Sequence, residues 1–213
     1  MENATQFIIQ IAVLIFSVVV HEVSHGYAAL ALGDKTAKYA GRLTLNPVNH
    51  FDPFGSFLLP LFTYFTTGFI FGWAKPVPYN PYNLRNQKWG PALVGAAGPL
   101  SNIFLAVFFG IVLRIMISYS LVGSALFANF FQIATFIVFL NLVLAVFNLV
   151  PIPPLDGSKV FFTLLPYQYR HIQAFMEQYG FMLLLAFIFF FSNLIFPVVL
   201  FLFRIITGVM PVF

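Results

Sequence analysis

Long apolar runs separated by short polar connectors make up most of this chain. Five apolar regions are long enough to cross or enter a membrane, at about residues 7–33, 54–73, 92–117, 126–150 and 181–210. A membrane-spanning helix needs about 20 apolar residues, so the last region could form two helices or one helix with an interfacial segment. The pattern predicts an all-α polytopic membrane protein with about five to six transmembrane helices.

Two features depart from simple helical spans. The second region contains Pro60 and Gly68, which permit a bend, and we expect it to enter and leave the membrane on the same side. The connector Tyr39–Leu45 alternates in polarity and ends at Asn46-Pro47, which predicts a short β-like connector near the cytoplasmic side.

Composition supports the membrane assignment. The 213 residues are 61% hydrophobic and 8% charged, whereas a soluble domain carries about a quarter charged residues. The absence of cysteine excludes disulfides and thiolate zinc sites. The net charge of +4 is small, and it bears on membrane topology rather than on nucleic acid, for which we expect no binding.

A metal-binding motif lies inside the first apolar region. His21-Glu22-Val23-Ser24-His25 places two imidazoles and a carboxylate where such groups are costly unless function requires them. Residues four apart share a helix face, so His21 and His25 can bind one Zn²⁺. Glu22 is placed to take a proton from a zinc-bound water.

A catalytic zinc site needs a third protein ligand. His50 and His171 lie in polar connectors, where we expect solvated surface histidines. Asp156 is the better candidate, since it follows the proline-rich end of the fourth apolar region, where an unpaired carboxylate would be costly. Proline there prevents a regular helix and leaves backbone groups free to line a cavity.

Two asparagines lie near the same boundary. Asn102 and Asn148 could donate to a carbonyl oxygen as it gains charge, or they could make hydrogen bonds between helices. The residues alone leave both roles open.

Three motifs in this order resemble the signatures of the site-2 protease family of intramembrane zinc metalloproteases. They are His21–His25, Gly98-Pro99-Leu100-Ser101-Asn102 and the segment 148–157, with sequence Asn-Leu-Val-Pro-Ile-Pro-Pro-Leu-Asp-Gly. The connectors 41–47 and 71–78 also resemble those of short prokaryotic members, which lack a PDZ or CBS domain.

The resemblance implies one catalytic zinc ion, with ligands His21, His25 and Asp156. It implies that Glu22 is the general base and that Asn148 binds the substrate or stabilises the oxyanion, while Asn102 positions the core helices. We expect residues 1–213 to form a single membrane-embedded domain, with a catalytic core at about 7–166 and C-terminal helices at about 175–211.

The motifs also constrain topology. If they meet at one depth, the first helix ends, the third begins and the fourth ends on the same side. Eight cations then lie on that side, and the positive-inside rule makes it cytoplasmic: Lys35, Lys38, Arg42, Lys75, Arg85, Lys88, Lys159 and Arg170. We therefore expect an external N-terminus and an active site nearer the cytoplasmic face of the cell membrane.

The predicted reaction is hydrolysis of a peptide bond in or near a transmembrane segment of another membrane protein, as in regulated intramembrane proteolysis. Two alternatives stay open, a membrane metal transporter and a catalytically silent scaffold relative. The sequence does not determine the oligomeric state.

Overall fold

The computed structural model describes residues 2–58, 65, 75–119 and 125–211. Within this part of the chain all regular structure is helical, which confirms the predicted all-α class. The helices are α1 (Glu2–Ala31), α2 (Thr36–Tyr39), α3 (Gly90–Ser118), α4 (Ala125–Asn148), α5 (Asp156–Leu164), α6 (Arg170–Phe191) and α7 (Ile195–Thr207). A π-helical turn forms at Pro53–Leu58, and short 3-10 turns form at Pro47–His50, Pro81–Asn83, Tyr167–Tyr169 and Ser192–Leu194.

Four stretches of the described chain are long and apolar enough to cross a membrane. They are Ala4–Ala31, Gly90–Ser118, Phe127–Asn148 and Tyr167–Thr207. A multi-pass membrane protein is therefore confirmed. Most of the segment 54–73, predicted to be re-entrant, lies outside the described residues.

The C-terminal apolar stretch contains two helices, α6 and α7, joined by the turn Ser192–Leu194. Gly180 in α6 packs against Pro153, at the end of the bundle where α4 ends. Near the C-terminus of α7, the carbonyl of Ile205 accepts a hydrogen bond from the Arg114 guanidinium, near the opposite end of α3. The stretch therefore runs along the bundle once.

The main apolar core lies between α3, α4 and α7. Its buried members are Ala106, Leu113, Ala134, Val138, Leu142, Val199 and Phe203. Gly110 on α3 allows α7 to approach closely, because a Cβ there would collide with Ile206 of α7. Small residues at such contacts let membrane helices pack closely, where lipid provides no hydrophobic drive for association.

A buried carboxylate fixes the turn after α1. Asp34 accepts hydrogen bonds from Thr36 N at 3.1 Å, Thr36 Oγ1 at 2.6 Å, Asn80 N at 2.7 Å and Asn83 Nδ2 at 3.0 Å. Burial alone would raise the pKa of Asp34, but these hydrogen bonds lower it below its ordinary value. Asp34 thereby joins the end of α1 to the connector that precedes α3.

The β-like connector predicted at Tyr39–Leu45 is not observed. Tyr39 ends α2, and the amides of Gly41 and Arg42 bond to the carbonyls of Lys38 and Ala37, as at a helix end. Burial does not follow the alternation either, since the apolar Tyr39 and Leu45 are exposed while the polar Arg42 is buried. The alternation of polarity in this connector therefore corresponds neither to a strand nor to one buried face.

Candidate active site

Three side chains from two helices converge at one end of the bundle. His21 and His25 project from one face of α1, and Asp156 is the first residue of α5. The two Nε2 atoms lie 3.1 Å apart, and Asp156 Oδ2 lies 3.0 Å from each of them. All three side chains are buried, with residue exposures of 6–7%.

Gly157 explains how the proline-rich turn delivers Asp156 to the histidines. A Cβ at Gly157 would collide with the backbone of Leu149 and would lie 2.6 Å from the carbonyl oxygen of Val150. Only glycine lets the start of α5 pack against the end of α4 this closely. The Asp-Gly pair is therefore required by the local fold as well as by the site.

Hydrogen bonds on the far side of each ring orient the histidines. His25 Nδ1 lies 2.6 Å from the carbonyl oxygen of Val94, which can only accept, so Nδ1 carries the hydrogen. His21 Nδ1 lies 2.6 Å from Asn102 Oδ1. In the neutral rings, both Nε2 atoms then direct their lone pairs towards Asp156.

Asn102 is itself held by polar partners in the membrane core. Its Nδ2 donates to Asn141 Oδ1 at 2.8 Å and to the carbonyl oxygen of Ser17 at 3.4 Å, which places Oδ1 towards His21. Asn141 Nδ2 donates in turn to Ser17 Oγ at 3.0 Å. Asn102 thus orients His21 through a network that joins α1, α3 and α4.

Glu22 faces a cavity beside the two histidines. The cavity has a volume of about 150 Å³, and its walls include His21, Glu22, His25, Asn148 and Asp156. A carboxylate oxygen of Glu22 and one ring nitrogen of each histidine all lie within 4.8 Å of one another. This spacing leaves Glu22 close to the histidines and outside the triad of mutual 3.0–3.1 Å contacts.

The irregular segment Lys75–Pro78 contributes Pro76 and Val77 to the wall of this cavity, and we call it the cover segment. The backbone N–H of Val77 donates to Glu22 Oε2 at 2.9 Å. The Arg42 guanidinium donates to the carbonyl oxygens of Lys75 at 2.6 Å and Pro76 at 3.4 Å. The cover segment therefore fixes the position of the Glu22 carboxylate.

Known proteins resemble this chain over most of its length. Peptidase family M50 matches residues 9–124 and 112–192. The chain belongs to peptidase family M50. This confirms the resemblance to site-2 proteases and the prediction of a zinc metalloprotease.

Several relatives of this M50 peptidase carry descriptive names. "Putative zinc metalloprotease YwhC" of Bacillus subtilis is 41% identical over 177 residues, which are 81% of this chain and 76% of that protein. "Putative zinc metalloprotease Rip2" of Mycolicibacterium smegmatis is 30% identical over 84% of this chain and 66% of its own length. Rip2 of Mycobacterium tuberculosis H37Rv is 30% identical over 71% and 55%. No solved structure is detectably similar to this chain.

The donor set of this M50 peptidase fits zinc. Two neutral Nε2 atoms and a carboxylate oxygen are all acceptors, so a cation between them relieves their mutual repulsion. Zinc bonds of about 2.0–2.2 Å place neighbouring tetrahedral ligands roughly 3.3–3.6 Å apart, and the observed separations of 3.0–3.1 Å are close to that. The Nδ1 hydrogen bonds supply the outer partners that ligating histidines usually have.

Lys159 completes the electrostatics of the site. Its Nζ lies 2.8 Å from Asp156 Oδ1, so the two oxygens of that carboxylate face different groups. Sequence reasoning missed Lys159, although its spacing of three residues from Asp156 on a helix was a usable signal.

Of the remaining residues considered in the sequence, Asn148 lies at the site, whereas His50 and His171 do not line the cavity. Asn148 lines the cavity, and its Nδ2 donates to the carbonyl oxygen of Leu144 at 2.9 Å. His50 was predicted to be solvated, and this is wrong: it is buried, and its Nε2 donates to the Thr44 carbonyl oxygen at 2.9 Å. His171 is exposed, as expected.

Sequence reasoning also missed Ser17, Asn141 and Val77. Ser17 and Asn141 were visible as polar residues within apolar runs, a pattern that marks functional or pairing positions in membrane helices. Nothing in the sequence distinguishes Val77, because its contribution to the site is a backbone N–H.

Proposed function

We propose that this M50 peptidase hydrolyses a peptide bond in or near a transmembrane segment of other membrane proteins. The observation that carries the proposal is the convergence of His21, His25 and Asp156 beside Glu22 within an apolar helix bundle. Three of these four residues lie in the α1 span Ala4–Ala31, which is long and apolar enough to cross a membrane. A substrate helix in lipid could therefore approach the site laterally.

In this proposal His21, His25 and Asp156 hold one zinc ion. When bound, zinc supplies a Lewis acid that polarises the scissile carbonyl and lowers the pKa of a coordinated water. Glu22 removes a proton from the attacking water and later delivers one to the leaving amine. The hydrogen bond from the Val77 N–H holds the Glu22 carboxylate in the site. There, a carboxylate oxygen of Glu22 lies within 4.8 Å of a ring nitrogen of each histidine.

Asn148 is the candidate for contact with the substrate. It is half-buried and shares the cavity with Glu22, while one of its amide hydrogens is used by Leu144. An amide group has a second N–H, which can donate to the scissile carbonyl as charge develops on its oxygen. Asn102 has a different role, because it contacts His21 and is fully buried.

The test compares purified wild type with Glu22→Gln on a panel of single-span membrane substrates in detergent, with bound metal counted in parallel. We expect wild type to cleave and Glu22→Gln to bind zinc without cleaving. His171→Ala is the control for histidine loss, since His171 is exposed and distant in sequence from the motif. It should keep both zinc and cleavage, whereas His21→Ala should lose both.

Two other outcomes would point to the alternatives. Metal flux into liposomes that survives Glu22→Gln would favour a transporter. Zinc bound by wild type with no cleavage of any substrate, together with partner binding unaffected by Glu22→Gln, would favour a silent scaffold.

For topology, we propose an external N-terminus and an active site nearer the cytoplasmic face. The cations predicted for that face include Lys35, Lys75, Arg85 and Lys88, which flank the site end of α1 and α3 in sequence. Arg114 contacts the α7 carbonyl of Ile205 near the opposite end. A reporter fused after Lys75 should respond from the cytoplasm, and an external response would contradict the proposed orientation.

A further inference from the structure

A second cavity, which we call the outer groove, adjoins the catalytic cavity. The outer groove has a volume of about 630 Å³, and Tyr79 and Lys159 belong to both cavities. Its size lies within the roughly 300–1,000 Å³ typical of ligand pockets. Lys159 Nζ lies 5.6 Å from the centre of the Tyr79 ring, so these two residues form a wall that the cavities share. A substrate segment bound in the outer groove would therefore lie directly beside the catalytic cavity.

The outer groove lies beyond the apolar helix ends. One wall contains Lys88 and Pro91, at the start of the α3 span, and the opposite wall contains Tyr167 and Arg170, at the start of the C-terminal span. A substrate segment in this position would have left its own apolar run. It could then carry charged residues without the cost of placing them in lipid.

The walls of the outer groove carry an excess of positive charge, with Lys88 on one wall and Arg170 on the other. Lys88 Nζ is 5.7 Å from the Trp89 ring centre, and Arg170 Cζ is 4.6 Å from the Tyr167 ring centre. Neither cation forms a salt bridge within the described ranges 2–58, 75–119 and 125–211. Glu177 is the acidic residue among the lining residues, and its hydrogen bond from the neutral Gln173 amide does not offset its charge. Since Lys159 is paired with Asp156, Lys88 and Arg170 together exceed Glu177 by one positive charge.

We propose that the outer groove binds an extended acidic segment of the substrate that flanks the scissile bond just outside the membrane. The inference rests on the proposed protease function, because a groove that shares a wall with the catalytic cavity is placed to hold the part of the substrate next to the scissile bond. Lys88 and Arg170 select for Asp and Glu in that segment by charge complementarity. The aromatic rings and prolines of the walls hold the extended backbone by apolar contact.

The experiment uses one single-span substrate in three versions, with the five residues beyond the span set to acidic, neutral or basic side chains. Values of kcat/KM are measured for full-length wild type, for Lys88→Glu/Arg170→Glu, and for Lys35→Glu/Lys38→Glu. The last variant is the matched control. It reverses two exposed charges that follow the C-terminal end of α1 and lie outside the outer groove.

We expect wild type to prefer the acidic to the basic substrate by roughly three- to tenfold, as two partly exposed ion pairs would give. The groove variant should invert this order, and the control should keep it. An unchanged ratio in the groove variant would overturn the proposal, even if its activity fell on every substrate. The cleavage rate is also measured in nanodiscs with different contents of anionic lipid. A rate that depends on the lipid content and not on the substrate charge would overturn the proposal and assign the groove to lipid headgroups.

Binding separates failure of this inference from failure of the proposed function. The same three sequences, fluorescently labelled, are titrated onto Glu22→Gln and onto Glu22→Gln carrying the groove substitutions. One possible result is that the acidic version binds best, that the groove substitutions abolish this preference, and that wild type cleaves none of the versions. This result would support the groove and contradict the protease proposal. Cleavage by wild type together with equal binding of all three versions would support the protease proposal and contradict the proposed role of the groove.

Discussion

A single methyl group placed on Gly98 should remove zinc from the active site. A Cβ at this position would lie 2.6 Å from both His21 Nε2 and His25 Cε1, and it would be closer still to His25 Nε2. Carbon atoms pack favourably at about 3.5–4.0 Å from their neighbours. The histidine rings would therefore have to retreat by roughly 1 Å to admit the methyl group.

Neither ring can retreat without losing its outer partner. Val94 O and Asn102 Oδ1 each lie 2.6 Å from a histidine Nδ1, and zinc sites tolerate deviations of only about 0.2 Å in bond length. Changes in outer partners alone cost about 10–100-fold in metal affinity. We therefore expect Gly98→Ala to retain less than roughly a tenth of the wild-type zinc affinity and to lose cleavage.

The assay is metal content and competitive zinc titration of the purified protein, with thermal unfolding measured on the same samples. Gly90→Ala is the control, because Gly90 lies on the same helix as Gly98 but away from the histidines. Its Cβ would meet the Leu84 side chain at 2.8 Å. Alanine is not harmful to a helix in itself. Wild-type zinc affinity in Gly98→Ala would refute the site geometry, and loss of zinc in both variants would indicate general disruption of α3.

Three further predictions concern groups around the site. Val77→Pro removes the N–H that Glu22 accepts and should lower kcat about tenfold with zinc retained. Val77→Ala keeps that N–H, and an equal loss there would assign the effect to packing. Asn141→Leu breaks the network behind Asn102 and should weaken zinc affinity about tenfold; unchanged affinity would dismiss the network. Because hydrogen bonds depress the pKa of Asp34, its stabilisation is present above its ordinary pKa of 3.8 and is lost as pH falls through the lower folded-state pKa. The difference in melting temperature between wild type and Asp34→Asn should therefore shrink below about pH 4, and a constant difference would contradict this.

Local patterns in the sequence were sufficient for the class of protein and for its chemistry. Apolar runs of about 20 residues can be stable in lipid only as helices, because the backbone must satisfy its own hydrogen bonds there. The HExxH spacing is equally local, since helix geometry alone brings His21 and His25 to one face. Asp156 was reachable too, as a carboxylate next to proline-rich backbone at the end of an apolar run.

Contacts between distant segments were not encoded in any such pattern. The alternation in Tyr39–Leu45 suggested a strand, yet Tyr39 and Leu45 are exposed and the polar Arg42 is buried. His50 was expected in water because its neighbours in sequence are polar, whereas the structure buries it against the Thr44 carbonyl. A one-dimensional pattern reports which faces are apolar, and it does not report what covers them.

The sequence by itself thus determined a helical membrane metalloprotease with His21, Glu22, His25 and Asp156 as its candidate site. Only the tertiary structure decided how that site is held. It revealed Asn102 behind His21 and the Val77 N–H on Glu22. The physical reason is that hydrogen bonds and ion pairs act over about 3 Å, and only folding brings groups separated by tens of residues within that distance.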